Sequence, residues 1–210
     1  MKLVEKKEAL ALLKQLYIGA KPALKYSTPY ELLVAVVLSA QCTDERVNKV
    51  TAELFKKYNT PSSMLTLSQS ELERYIFSCG FYRMKAEHIL SASKDIIEKF
   101  QGEVPNTIEE LTSLAGVGKK TANVVYSVWF GGAAIAVDTH VFRVSNRLGL
   151  AKGKTPEQVE AGLMKVVPKS EWSKAHHQLI YHGRQICHSQ KPRCEVCPLS
   201  ELCDYAKKKH

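Results

Sequence analysis

Thr107-Ile108-Glu109-Glu110, followed by Leu114-Ala115-Gly116-Val117-Gly118-Lys119-Lys120-Thr121-Ala122, places two helix starts around a glycine turn. Thr107, with Glu110 three residues on, matches a capping box opening a short helix. That helix stops at Gly116, and a second runs from Lys119 to Phe130 before Gly131-Gly132. The glycines allow a tight turn and close approach of another backbone. The first N–H groups of the second helix lack intrahelical partners and, with the helix dipole, form an anion site. Such a turn on a phosphate contacts DNA without reading its sequence; a plain helix connection is the alternative. Lys120 falls in the first turn of the second helix. A free lysine titrates near ~10.4. Partial burial, the positive helix end and Lys119 are expected to lower that value, the conditions for a Schiff-base lysine. An ordinary surface lysine is the competing reading.

Outward from this hairpin, helical periodicity continues in both directions. Val4 to Tyr17 carries Leu10, Leu13 and Tyr17 on one stripe. Tyr30 to Ala40 is nearly all apolar, as in a helix buried on every side. Further helices are expected over Thr43 to Tyr58, Ser70 to Phe77, Lys85 to Phe100, Pro156 to Val167 and Ser170 to Cys187. Asp138 is placed to cap a helix from Thr139 to Leu148 that Gly149 closes. Only Ala134 to Val137 hints at an extended segment. The expected fold class is all-α. No apolar run approaches the ~18 residues needed to cross a bilayer, and the charged N-terminus has no secretory pattern. A cytoplasmic protein with no membrane partner is expected.

Lys and Arg number 30 against 21 Asp and Glu, a net charge of +9. Residues 1–21 carry +3, residues 22–132 are neutral, and residues 133–210 carry +6. If the two ends pack together, they form one positive face suited to a polyphosphate ligand. Simple basicity without a nucleic-acid partner is the alternative. The charge balance shifts at Gly131-Gly132, the expected domain boundary.

Four of six cysteines, Cys187, Cys194, Cys197 and Cys203, follow a C-x6-C-x2-C-x5-C spacing. In a reducing compartment, thiols this close in sequence read as metal ligands rather than disulfides. Structural zinc sites use two closely paired knuckles, whereas one loop with uneven spacing can wrap an iron–sulfur cluster. Iron–sulfur is favoured over zinc. Cys42 and Cys79 read as small buried apolar residues. Lys191 and Arg193, between the first two ligands, would become surface cations on a rigidified loop. As a cap, Asp138 would have its carboxylate held in a fixed position. His140 is a candidate for a phosphate or a core hydrogen bond.

The combination of the hairpin, Val137-Asp138-Thr139-His140-Val141-Phe142-Arg143 and the cysteine loop resembles the helix-hairpin-helix, Gly-Pro-Asp family of DNA base-excision glycosylases. Within it, the resemblance is to the branch with a C-terminal [4Fe-4S] loop. Leu38-Ser39-Ala40-Gln41 with Thr43-Asp44, and Gly80-Phe81-Tyr82 with Lys85-Ala86, extend the match over nearly the whole chain. The resemblance implies a six-helix barrel domain over 22–132, with the helix-hairpin-helix at about 107–130. It also implies a second helical domain built from 1–21 with 133–210, ending in the cluster loop at 187–203, and an active-site cleft between the two. Lys120 would be the nucleophile and Asp138 the catalytic carboxylate. Gln41 would fill the gap left by an extruded nucleotide, and Phe81, where the family usually has leucine, would wedge into the stack. Gly116, Val117, Gly118, Lys119, His140, Lys191 and Arg193 would contact DNA. Cys187, Cys194, Cys197 and Cys203 would hold the [4Fe-4S] cluster.

The implied partner is double-stranded DNA with damaged bases or abasic sites, met by a monomer at the nucleoid. The implied reaction is excision of oxidised pyrimidines followed by β-elimination. A monofunctional mismatch glycosylase, which would use water, is disfavoured by Lys120. A non-catalytic DNA-binding module with a zinc-stapled tail is the reading from another class.

Overall fold

The computed structural model describes residues 1–208 of the 210-residue chain, all as helices, turns and loops. Two compact units emerge, Pro22–Gly132 and a unit made of Met1–Lys21 with Ala133–His210. Among the described residues, no helix is long and apolar enough to cross a membrane.

In the continuous unit, α2 (Pro29–Ser39) is the central helix, and every residue from Tyr30 to Leu38 is buried. Its uniformly apolar sequence leaves no face for water, so neighbours cover it all round: α3 (Asp44–Leu54), α6 (Tyr82–Phe100) and α8 (Lys119–Val128) pack against it. The Tyr30 hydroxyl meets Ser93 Oγ at 2.6 Å, and that serine donates to the Ile89 carbonyl, tying α2 to α6 through a satisfied buried pair. The short α4 (Pro61–Met64) has no counterpart in the sequence expectations. Thr60 caps it and Pro61 opens it, but four residues are too few to display a helical period. The unit continues with α5 (Gln69–Ile76), which packs on α6, and α7 (Ile108–Ser113), which packs on α8.

Helix boundaries differ from expectation where a cap intervenes. α6 begins at Tyr82, three residues before the expected Lys85, because Phe81 takes the N-cap position. α3 stops at Leu54 rather than Tyr58, where the Lys57 and Tyr58 N–H groups both turn back to the Leu54 carbonyl. At α7, Thr107 accepts from the Glu110 N–H, but the Glu110 carboxylate bonds the Thr107 hydroxyl instead of the cap's N–H. Only half of the expected capping box forms.

In the discontinuous unit, α1 (Leu3–Leu16) packs on α10 (Pro156–Val166) and α11 (Trp172–Gln185), and α9 (Thr139–Leu148) packs on α10 and α11. Buried Tyr17 bonds His182 at 3.1 Å, and the N-terminal ammonium pairs with Asp204 at 2.9 Å. These two bonds join residues more than 160 positions apart in sequence. Ala134 to Val137 is buried but forms no strand, and no strand to pair with it occurs among the described residues.

Candidate functional site

The hairpin between α7 and α8 is built around two glycines with different duties. Gly116 sits at φ +73°, and a Cβ there would lie 2.7 Å from the His88 ring on α6. A side chain is excluded on both counts. Gly118 has an ordinary φ of −81°, and a Cβ there would meet nothing within 4 Å. It caps α8 without any side-chain bond, so the outer surface of the turn stays open at the helix's positive end. Val117, expected to face DNA, turns its side chain into the core and gives its N–H to the Leu114 carbonyl at 3.1 Å. It anchors the turn from inside.

Lys119 and Lys120 are exposed. The partial burial expected for Lys120 is therefore corrected. α8 buries Ala122, and Lys120, two residues earlier, points about 200° away from it around the helix.

Gln41 and Phe81 occupy neighbouring loop ends in the same unit. Both are exposed non-glycine residues in the left-handed region, at φ 54° and 57°. Each such residue costs about 1–2 kcal/mol. A Cβ on Gly80 would come 3.4 Å from the Gln41 carbonyl, so the two loops touch. Phe81 leaves 60% of its surface in solvent, an unusual cost for a large aromatic with a core beside it.

Asp138 caps α9 as expected, accepting the Val141 N–H at 2.7 Å. The cap fixes the carboxylate without burying it fully. Behind it, the His176 ring nitrogen donates to the Ala136 carbonyl at 2.6 Å and stacks edge-on against His177. Burial, then the neighbouring His176, pushes His177 down to about 3, with Asp138 opposing. His177 is thus a neutral ring within electrostatic reach of the carboxylate, a feature that a lone histidine in sequence does not signal. His140 is half-buried with its Nδ1 3.0 Å from the Arg143 guanidinium, and burial lowers its pKa.

The same helix is bolted to the cysteine loop. Arg143 donates to the Cys187 and Gly183 carbonyls, each at 3.0 Å. Arg147 donates to the His188 and Ser189 carbonyls and approaches Cys187 Sγ at 3.5 Å. Neither arginine was picked out by sequence, because each bond spans about 40 residues. Cys187, Cys194, Cys197 and Cys203 line one pocket together with His182, Arg147 and Arg193, and among the described residues no acidic side chain lines it.

Among the described residues, no three His, Cys, Asp or Glu side chains converge as a single metal ion requires. Four free thiols spread around one pocket fit a wider multi-iron cluster better than zinc. Burial raises the Cys197 and Cys203 thiols, so a metal taken up by them would have to displace their protons. His182 Nε2 lies 3.8 Å from Cys197 Sγ, with Tyr17 on its other nitrogen, so the ring orients that thiol. Lys191, at φ 47°, and Arg193 are both exposed on the loop.

Comparison with known proteins places this geometry. Residues 34–169 match the HhH-GPD superfamily of base excision DNA repair proteins, and residues 187–203 match the iron–sulfur binding domain of endonuclease III. Endonuclease III of Bacillus subtilis (strain 168) is 53% identical over 191 residues, covering 90% of this chain and 87% of the relative. That of Synechocystis sp. (strain PCC 6803) is 50% identical over 200 residues, 95% and 91% of the two chains. A solved structure of a trapped endonuclease III–DNA covalent intermediate superposes with a TM-score of 0.96 at 48% identity, over 100% of this chain and 99% of that one. The cofactor is accordingly an iron–sulfur cluster of the [4Fe-4S] kind. With half its residues shared across nine-tenths of its length, and both the repair fold and the cluster loop in place, the chain belongs to the endonuclease III family of HhH-GPD base-excision DNA glycosylases.

Proposed function

We propose that the protein is a bifunctional DNA glycosylase and AP lyase that removes oxidised pyrimidines from duplex DNA and cuts the abasic strand by β-elimination. The observation that carries this reading is Lys120, an exposed amine in the first turn of a helix capped only by Gly118. The N–H groups at the start of α8, beyond the internally bonded Val117, would take a backbone phosphate, aided by the Lys119 side chain, and hold one strand against the turn. Gln41 and Phe81 would enter the stack as the lesion leaves it; a damaged base costs less to extrude. His140, Lys191 and Arg193 would supply further phosphate contacts.

The Lys120 amine, as the free base, bonds to C1′ of the sugar. The glycosidic bond breaks with its electron pair leaving on the base, which takes up a proton. Asp138 stabilises the positive charge on the sugar and receives a proton from the attacking nitrogen. The C1′–O4′ bond then opens, with O4′ taking a proton as the nitrogen lone pair forms the iminium. This acidifies C2′; a base removes the C2′ proton as the C3′–O bond breaks and the 3′ phosphate leaves, and water hydrolyses the imine to free Lys120. Cys187, Cys194, Cys197 and Cys203 would hold the [4Fe-4S] cluster, which when bound ties the loop bearing Lys191 and Arg193 into one conformation. Borohydride reduction during turnover on a duplex bearing an oxidised pyrimidine is expected to trap protein on DNA, and Lys120→Ala to abolish trapping. Trapping at full rate in that variant would assign the nucleophile elsewhere.

A further inference from the structure

Lys85 is 3% exposed, yet among the described residues its ammonium is given no carboxylate partner. Its Nζ donates to the Leu38 carbonyl at 2.8 Å and the Ala40 carbonyl at 2.7 Å. Those two acceptors complete the account at the end of α2. Val36 is met by the Ser39 hydroxyl, Val37 by the Ala40 N–H and Ser39 by the Cys42 N–H. Without Lys85, the carbonyls of Leu38 and Ala40 lose the donor that the structure gives them, at the negative end of a buried helix. The backbone N–H of Lys85 donates to the Phe81 carbonyl at 3.1 Å. One residue thus holds Ala40, just before Gln41, with its side chain and Phe81 with its main chain. Burial draws the Lys85 pKa down, and the nearby Cys79 and Cys42 thiols act the other way.

We propose that Lys85 is a positioning residue for base extrusion: its buried ammonium locks the Gln41 turn to the Phe81 helix start, so that both strained tips meet the duplex as one preformed wedge. This rests on the reading of Gln41 and Phe81 as the stack-entering residues. A strained turn holds its φ only while its surroundings over-determine it. Lys85 supplies that constraint from a position where it touches neither DNA nor the reacting atoms.

The test uses the full-length, cluster-loaded protein and Lys85→Met, which keeps the side chain's length but has no donor. Extrusion is read by the fluorescence of 2-aminopurine placed beside the lesion, which does not depend on Lys120 chemistry. Excision is read under single turnover on a stacked thymine-glycol duplex and, in parallel, as cleavage of a duplex carrying an abasic site. Lys85→Met is expected to slow extrusion and excision about 30-fold and abasic-site cleavage less than about threefold. In a Gln41→Ala/Phe81→Ala background, it should have no further effect on extrusion. Equal losses on both substrates, or an added loss in the double-alanine background, would show a merely structural lysine and overturn the proposal. If Gln41→Ala/Phe81→Ala alone leaves extrusion intact, the wedge reading itself fails and this proposal falls with it. Should Lys85→Met not fold, Lys85→Gln, which keeps one donor and no charge, takes its place. An intermediate loss confined to the stacked substrate is then expected, and no loss there would be equally fatal.

Discussion

The two hairpin glycines can be separated by the same small change. Gly116→Ala places a methyl on a backbone at φ +73° and drives it to 2.7 Å from His88 Nδ1 and 2.8 Å from His88 Cβ. The left-handed conformation costs a non-glycine residue about 1–2 kcal/mol. Overpacking against a residue on α6 adds about 1–3 kcal/mol, because a Cβ cannot swing aside as a ring tip can. A loss of roughly 3 kcal/mol would lower Tm by about 6–12 °C in a chain of this size. Gly118→Ala meets neither obstacle, since its φ is −81° and the space around its Cβ is open. Its stability should stay within about 1 kcal/mol of wild type. If the turn receives a phosphate, however, the added methyl stands where that phosphate must approach, and affinity for undamaged duplex should fall about tenfold, or about 1.4 kcal/mol. Calorimetry and fluorescence anisotropy on the two variants check both halves. Equal destabilisation by both substitutions would refute the packing argument. Unchanged duplex affinity in a folded Gly118→Ala would refute the phosphate site.

Three further outcomes are expected. Lys191→Ala or Arg193→Ala should weaken binding to damaged and undamaged duplex alike and flatten the salt dependence by about one phosphate contact, read as the slope of log K against log salt. Asp138→Asn should keep the α9 cap, because asparagine caps as well as aspartate, and leave Tm nearly unchanged while abolishing excision; Asp138→Ala should also cost about 1 kcal/mol of stability. Buried His177, held down to about 3, stays neutral in the folded protein while the unfolded chain takes up its proton below about pH 6.5. Its contribution is therefore complete above that pH and is lost on acidification, by up to about 1.4 kcal/mol per pH unit. Denaturant titrations of wild type and His177→Gln from pH 7 to 4 should diverge in slope; parallel curves would rule the histidine out.

Much of this protein could be read locally. Thr43, Thr107 and Asp138 each cap the helix that follows, because a cap bonds an N–H only three residues on. The same holds for the glycine turn of the hairpin and for the cysteine spacing of the loop, whose chemistry is carried by neighbours in the chain. α4 escaped because one turn has no period. The Lys120 surroundings were misjudged because exposure depends on which face of α8 the core covers, which other helices settle.

What the amino-acid order determined by itself was every helix longer than one turn, the glycine turn with a lysine in the first turn of the helix after it, and the cysteine spacing of the C-terminal loop. Only tertiary structure decided that Lys85 joins the end of α2 to the start of α6. It also decided that Arg143 and Arg147 fasten α9 to the cysteine loop. These bonds link residues about 40 or more positions apart. Such pairs meet only after hydrophobic burial has brought their helices together, and no local pattern records the meeting.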